Sequence, residues 1–187
     1  MSNNVTKSHL RIRALCEGAI LLALAIVLNY LSSIIFASLP QGGSITLAMF
    51  PLLLYVHRWG AVKGLLVCFA YGTMDMLLGK GYAWGWQSIL LDYSVAYAMV
   101  SLAGICRKLP HGLSWGAVVG GFARFVIHYI SGVTIYAILA PTELFGITFL
   151  NPWFYSLAYN LGYVLPSTIL VAVVCFFLEK PLKKLPK

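Results

Sequence analysis

The chain has 187 residues, of which 60% are hydrophobic and only 10% charged, with a mean hydropathy of +0.86. About a quarter of the residues of an ordinary soluble domain are Asp, Glu, Lys or Arg, so this composition excludes a soluble enzyme or carrier and points to a polytopic membrane protein. The net charge of +8 does not indicate a nucleic-acid binder, because the basic residues are dispersed over short loops instead of forming one face.

Runs long enough to cross ~30 Å of hydrocarbon predict helices in chain order. The first covers about 14–38 and lacks a small-residue cleavage site, so it is expected to stay as a span. A loop, Leu39 to Ser44, carries the pair Gly42 and Gly43. The second segment, about 45–57, is only a dozen residues and contains Pro51, so it is expected to be short or kinked. Four further spans follow at about 61–79, 84–106, 113–140 and 151–178. The expected fold is all-α, one transmembrane domain over 1–187 built as a compact bundle of six helices, with no internal repeat.

Six crossings put Lys7, Arg11, Arg13, Arg58, Lys63, Arg107, Lys108 and the C-terminal lysines on one side, with only Lys80 on the other. The positive-inside rule then sets both termini in the cytoplasm. The five tryptophans fall at predicted helix ends, where amphipathic rings suit the headgroup region. The four cysteines are scattered, with no metal-like spacing, and no metal or cofactor is expected.

Asp92 lies in Ser88–Ser101, a stretch otherwise free of charge. A carboxylate near bilayer depth costs several kcal/mol unless it faces protein or water, so it marks a functional site. Asp92 is about eight residues, or ~12 Å, below the outer end of its span, with Tyr93 beside it. The next span carries His128, Gly132 and Tyr136 at i, i+4 and i+8, one stripe on one face. The last span places Tyr155 near its outer end and Asn160 about a turn and a half deeper. Three helices thus offer polar groups at a shared depth, as a single outward-facing pocket requires. One carboxylate with an imidazole, an amide and phenols suits a small, flat, cationic ligand, since tyrosine faces add cation–π attraction of ~1–2 kcal/mol. Asp75, near the outer end of its span, is expected instead to form a surface or structural ion pair with Lys80. Arg124 is expected either to be a buried structural cation or to snorkel to the cytoplasmic side. No phosphate-binding loop and no paired carboxylate relay is present, so either power for transport comes from elsewhere or the protein is not a pump.

Four stretches carry a resemblance: Leu39-Pro-Gln-Gly-Gly-Ser-Ile-Thr-Leu-Ala-Met-Phe-Pro51, Leu91-Asp-Tyr93, Arg124-Phe-Val-Ile-His-Tyr-Ile-Ser-Gly132 and Tyr155-Ser-Leu-Ala-Tyr-Asn160. Together they make the chain resemble the S components of energy-coupling factor (ECF) vitamin transporters, and within them the thiamine-specific ThiT (YuaJ) family. The resemblance implies that Asp92 meets a cationic vitamin, that His128, Tyr155 and Asn160 hydrogen-bond it, and that Tyr93, Gly132 and Tyr136 complete the pocket. It also implies that Ala19 and Ala23, the small residues of Ala19-Ile-Leu-Leu-Ala23, dock on a transmembrane coupling subunit, and that Pro40, Gln41, Gly42, Gly43 and Ser44 form a gate loop. Where the family can carry Glu and Trp, this chain has Asp92 and Tyr136.

The expected function is therefore thiamine capture for an ATP-driven ECF importer in a bacterial plasma membrane, with thiamine or a close analogue as ligand. The partners implied are the coupling (T) subunit and two separate ATPase subunits. An S component for riboflavin or a hydroxymethylpyrimidine precursor is the alternative. An intramembrane enzyme is the remote one, because no GxSG serine and no clustered aspartates occur.

Overall fold

The computed structural model describes residues 2–36, 39, 42–78, 83, 85–139, 143–144, 146–149 and 151–182; side chains are described within these, except for 2–7, 135–139 and 143–144. Six helices account for nearly all of it: α1 (Ser2–Ile35), α2 (Met49–Trp59), α3 (Ala61–Leu78), α4 (Trp86–Lys108), α5 (Gly112–Leu139) and α6 (Pro152–Leu182). A two-residue antiparallel pair, β1 (Glu143–Leu144) and β2 (Ile147–Thr148), lies between α5 and α6 and was not expected in an all-α chain. Its turn passes through Gly146 at φ 80°, a conformation open to glycine without cost.

Five helices (α1, α3, α4, α5 and α6) are long and apolar enough to cross a membrane. Large apolar side chains such as Ile20, Val27, Leu66, Phe122 and Ile169 point outward, as a lipid-facing surface requires. α1 begins well before the expected start at 14, while the other long helices begin and end within about two residues of expectation except at the C-terminal end of α6.

The second crossing differs from the expected helix at 45–57. α2 has 11 residues, about 16 Å of rise, and its Leu52, Leu53 and Val56 are fully buried in the core with Cys68, Tyr71, Val100 and Val171. The missing length is supplied by non-helical chain. Gly43 N–H donates to Tyr159 Oη (2.9 Å) and Thr46 N–H to Ser167 Oγ (3.1 Å), so residues 43–46 run along α6 before α2 begins. Leu47 N–H donates to Ser32 Oγ (3.2 Å) and Ala48 N–H to Thr46 Oγ1 (3.1 Å). Irregular backbone at membrane depth is tolerated only where its polar groups are satisfied inside the protein, and here hydroxyls from α1, α6 and the segment itself do so.

α4 is irregular as well. Ile89–Val95 is π-helical and Val100–Lys108 is a 3₁₀ helix. The widened turn carries Asp92 and Tyr93. Gly72 of α3 packs against the Tyr93 carbonyl so closely that a Cβ there would collide with backbone, so α3 seats directly on the π turn. Thr73 Oγ1 and Ser94 Oγ, 3.0 Å apart, tie the same two helices together.

A candidate ligand cavity at the π turn

A cavity of about 490 Å³ opens between α1, α3, α4, α5, α6 and the descending segment. Its volume falls in the range of small-molecule sites. Asp92, Tyr93, His128, Gly132, Tyr155 and Asn160 all line it, so the residues expected from three separate helices share one wall. Gly42, Gly43 and Ser44 line it too, whereas Pro40 and Gln41 lie outside the described residues. Tyr136 falls on α5, and its side chain lies outside the described set.

The π turn aims Asp92 inward, and its carboxylate is held on both oxygens. Ser88 Oγ, one turn earlier, donates to Oδ2 at 2.7 Å, and His128 Nδ1 stands 3.4 Å from Oδ1. The other imidazole nitrogen, Nε2, receives the Arg124 Nε–H at 3.1 Å. A guanidinium can only donate, so Nε2 must be the acceptor and Nδ1 must carry the proton. Arg124 thereby sets the neutral tautomer whose N–H points at Asp92. The carboxylate remains reachable, with its side chain 25% exposed.

Arg124 was expected to be structural or to snorkel to the cytoplasmic side; it is 4% exposed and lines the cavity, its guanidinium 4.3 Å from the Tyr97 ring centroid. That ring meets Tyr71 edge-on at 4.6 Å. Asp75 faces the cavity and accepts Asn29 Nδ2–H at 2.6 Å; its expected partner Lys80 lies outside the described residues. This position on the cavity wall was not legible locally, because Asn29 is 46 positions away in sequence.

The α6 wall is aromatic. Tyr155 stacks on Tyr159 (6.0 Å, 15°), Tyr159 meets Tyr163 edge-on (5.6 Å), and Tyr163 meets the His128 ring in the same way (5.7 Å). Tyr159 and Tyr163 escaped the sequence reading, although Tyr155, Tyr159 and Tyr163 repeat at i, i+4, i+8. Asn160 is less free than expected for a ligand donor. Its Nδ2 donates to His128 O (3.2 Å), Ser156 O (2.9 Å) and Ser156 Oγ (3.1 Å), and its Oδ1 accepts Tyr163 Oη–H (2.9 Å). It locks α6 to α5 and leaves one Oδ1 lone pair for a ligand. Gly132 makes this closeness possible, because a Cβ there would meet Ser156 Oγ.

A family model described as thiamine transporter protein (Thia_YuaJ) matches residues 15–187. The chain belongs to the Thia_YuaJ family. Among its relatives, the thiamine transporter ThiT of Bacillus subtilis is 33% identical over 173 residues, which are 86% of each chain. The thiamine transporter ThiT of Lacticaseibacillus paracasei is 28% identical over 184 residues, 90% of this chain and 87% of that one. Two solved structures share the fold. ThiT from Listeria monocytogenes superposes with a TM-score of 0.76 at 22% identity, over 91% of this chain and 95% of that one. The S component of a bacterial ECF transporter gives 0.63 at 16% identity, over 92% and 96%. This member of the Thia_YuaJ family is accordingly a multi-pass membrane transport protein, and its relatives are named as transporters, not enzymes.

Proposed function

We propose that the protein captures thiamine from outside the cell as the substrate-binding subunit of an ECF-type importer in the plasma membrane. The observation that carries this reading is the charge of the cavity. Among the described residues its walls hold two carboxylates, Asp75 and Asp92, and one guanidinium, Arg124, with His128 neutral, a formal charge of minus one that suits a monocation. A thiazolium beside Asp92 supplies that charge, and the tyrosines of α6 supply faces for flat rings. His128 Nδ1–H, held toward Asp92 by Arg124, gives the pyrimidine a directed donor, and the open lone pair of Asn160 Oδ1 gives its amine an acceptor.

Gly42, Gly43 and Ser44, with Pro40 and Gln41, act as the gate, since the segment they begin runs along the cavity wall. Ala19 and Ala23 are both exposed on α1, beside exposed Ile20, Leu24 and Val27, so their small-residue spacing does not serve packing inside this chain. It suits a helix of the coupling subunit, which brings the two ATPases.

Titration calorimetry of the purified protein against thiamine, its phosphates, hydroxymethylpyrimidine and riboflavin tests the reading. Thiamine is expected to bind most tightly. Tight riboflavin binding with none for thiamine would overturn it, because a neutral flavin leaves the cavity charge unbalanced.

A further inference from the structure

The cavity holds a second carboxylate, one of whose hydrogen bonds leads to the descending segment. Asp75 accepts Asn29 Nδ2–H at 2.6 Å, and Asn29 Oδ1 accepts Thr46 Oγ1–H at 2.8 Å. Thr46 Oγ1 in turn accepts the Ala48 N–H at 3.1 Å, at the entry to α2. Asp75 and Asn29 line the cavity, but Thr46 does not and is 1% exposed.

The direction of this chain of bonds follows from its first member. An ionised carboxylate can only accept, so Asn29 must present its amide N–H₂ to Asp75 and its carbonyl to Thr46. The Thr46 hydroxyl must then donate to Asn29, which leaves its lone pairs for Ala48. The same short segment is also held by hydroxyls from Tyr159, Ser167 and Ser32 and by the Leu39 N–H on Gly43 O at 2.7 Å. We propose that Asp75 is a positioning residue that, through Asn29 and Thr46, holds the descending segment 43–48 against the cavity and so sets how readily that segment releases a bound cation. The step concerning release rests on the thiamine reading above; the step concerning the segment does not.

Hydrogen exchange over residues 43–48 of the purified, ligand-free protein tests the first step. Asp75→Asn keeps the shape of the side chain but can offer Asn29 either a donor or an acceptor, and exchange there is expected to quicken about tenfold, the worth of one buried hydrogen bond. Thr46→Val, which removes the hydroxyl outside the cavity, is expected to do the same. Adding Asn29→Asp to Asp75→Asn moves the acceptor-only group one place along: Asp at 29 accepts from Asn at 75 and from Thr46, and wild-type exchange is expected to return. Unchanged exchange in both single variants, or no recovery in the exchanged pair, overturns the proposal. A loss of protection spread over all helices, instead of confined to 43–48, also overturns it, since it makes Asp75 a general stability residue.

The second step is read from the dissociation rate of thiamine. Asp75→Asn and Thr46→Val are both expected to speed release several-fold, and the exchanged pair to restore it. An effect of Asp75→Asn with none of Thr46→Val means direct ligand contact and overturns the relay. Absence of thiamine binding by the wild-type protein would sink the functional reading while leaving the exchange result to decide the positioning role.

Discussion

Replacing Asp92 with Asn removes the proposed counter-charge while nearly preserving shape. A unit cation about 4 Å from the carboxylate, at an effective dielectric near 20, is held by about 4 kcal/mol. The carboxylate is a quarter exposed, so solvent screens part of this and about 2–4 kcal/mol is the expected loss, raising the thiamine Kd by about 30- to 1000-fold. A second cost falls on the protein alone. Arg124 holds the proton on His128 Nδ1, so the amide must turn Oδ1 to His128 and its N–H₂ to Ser88 Oγ, whose hydroxyl then accepts instead of donating. Trading two hydrogen bonds to a charged acceptor for two neutral ones costs about 1 kcal/mol, visible as a lower melting temperature without ligand. Calorimetry with thiamine and with an analogue whose thiazolium is replaced by a neutral ring separates these effects. The wild-type protein should favour thiamine strongly and the variant should hardly distinguish the two. An equal loss for both ligands, or no loss for either, would refute Asp92 as counter-ion.

Gly72→Ala drives a methyl into the Tyr93 carbonyl, a backbone atom that cannot swing aside, and is expected to cost about 1–3 kcal/mol in unfolding free energy and to weaken binding by disturbing the π turn. Chemical denaturation and calorimetry on one preparation check both. Gly43→Ala brings a methyl to 2.7 Å from Tyr163 and 2.8 Å from Tyr159 Oη, pushing the segment off α6. Thiamine release measured by stopped flow should quicken several-fold, by the worth of the Gly43–Tyr159 bond. Ala23→Leu adds bulk to an exposed face, so calorimetric affinity should stay within about twofold while vitamin uptake by cells carrying the complete importer falls, the docking role being the one affected.

Some of the site was legible in order along the chain. Asp92 stood out because charge in a long apolar run is costly whatever the fold, and the His128–Gly132 stripe followed from helical periodicity. Tyr159 and Tyr163 carried the same kind of signal, since they extend the Tyr155 stripe by two turns. Asn29 carried none: one amide in an apolar helix is compatible with any interhelical bond, and its partners lie on α3 and on the segment before α2. The place of Asp75 on the cavity wall was missed because the group it binds, Asn29, lies on α1 and is distant in sequence. The second crossing was half legible. Its shortness and Pro51 announced an incomplete helix, but nothing local showed that extended chain would complete it, because the hydroxyls that satisfy its backbone come from Ser32, Tyr159 and Ser167.

Residue chemistry and hydropathy by themselves determined that the chain lives in lipid, where its long apolar helices run and which carboxylate demands a partner, because transfer free energies depend on residue type and run length alone. Only tertiary structure decided the protonation pattern of His128, the direction of the bonds from Asp75 to Thr46 and the seating of α3 on the π turn. Each of these depends on which donor meets which acceptor across helices, and hydrogen bonds, unlike hydropathy, are set by the distance and angle between groups far apart in the chain.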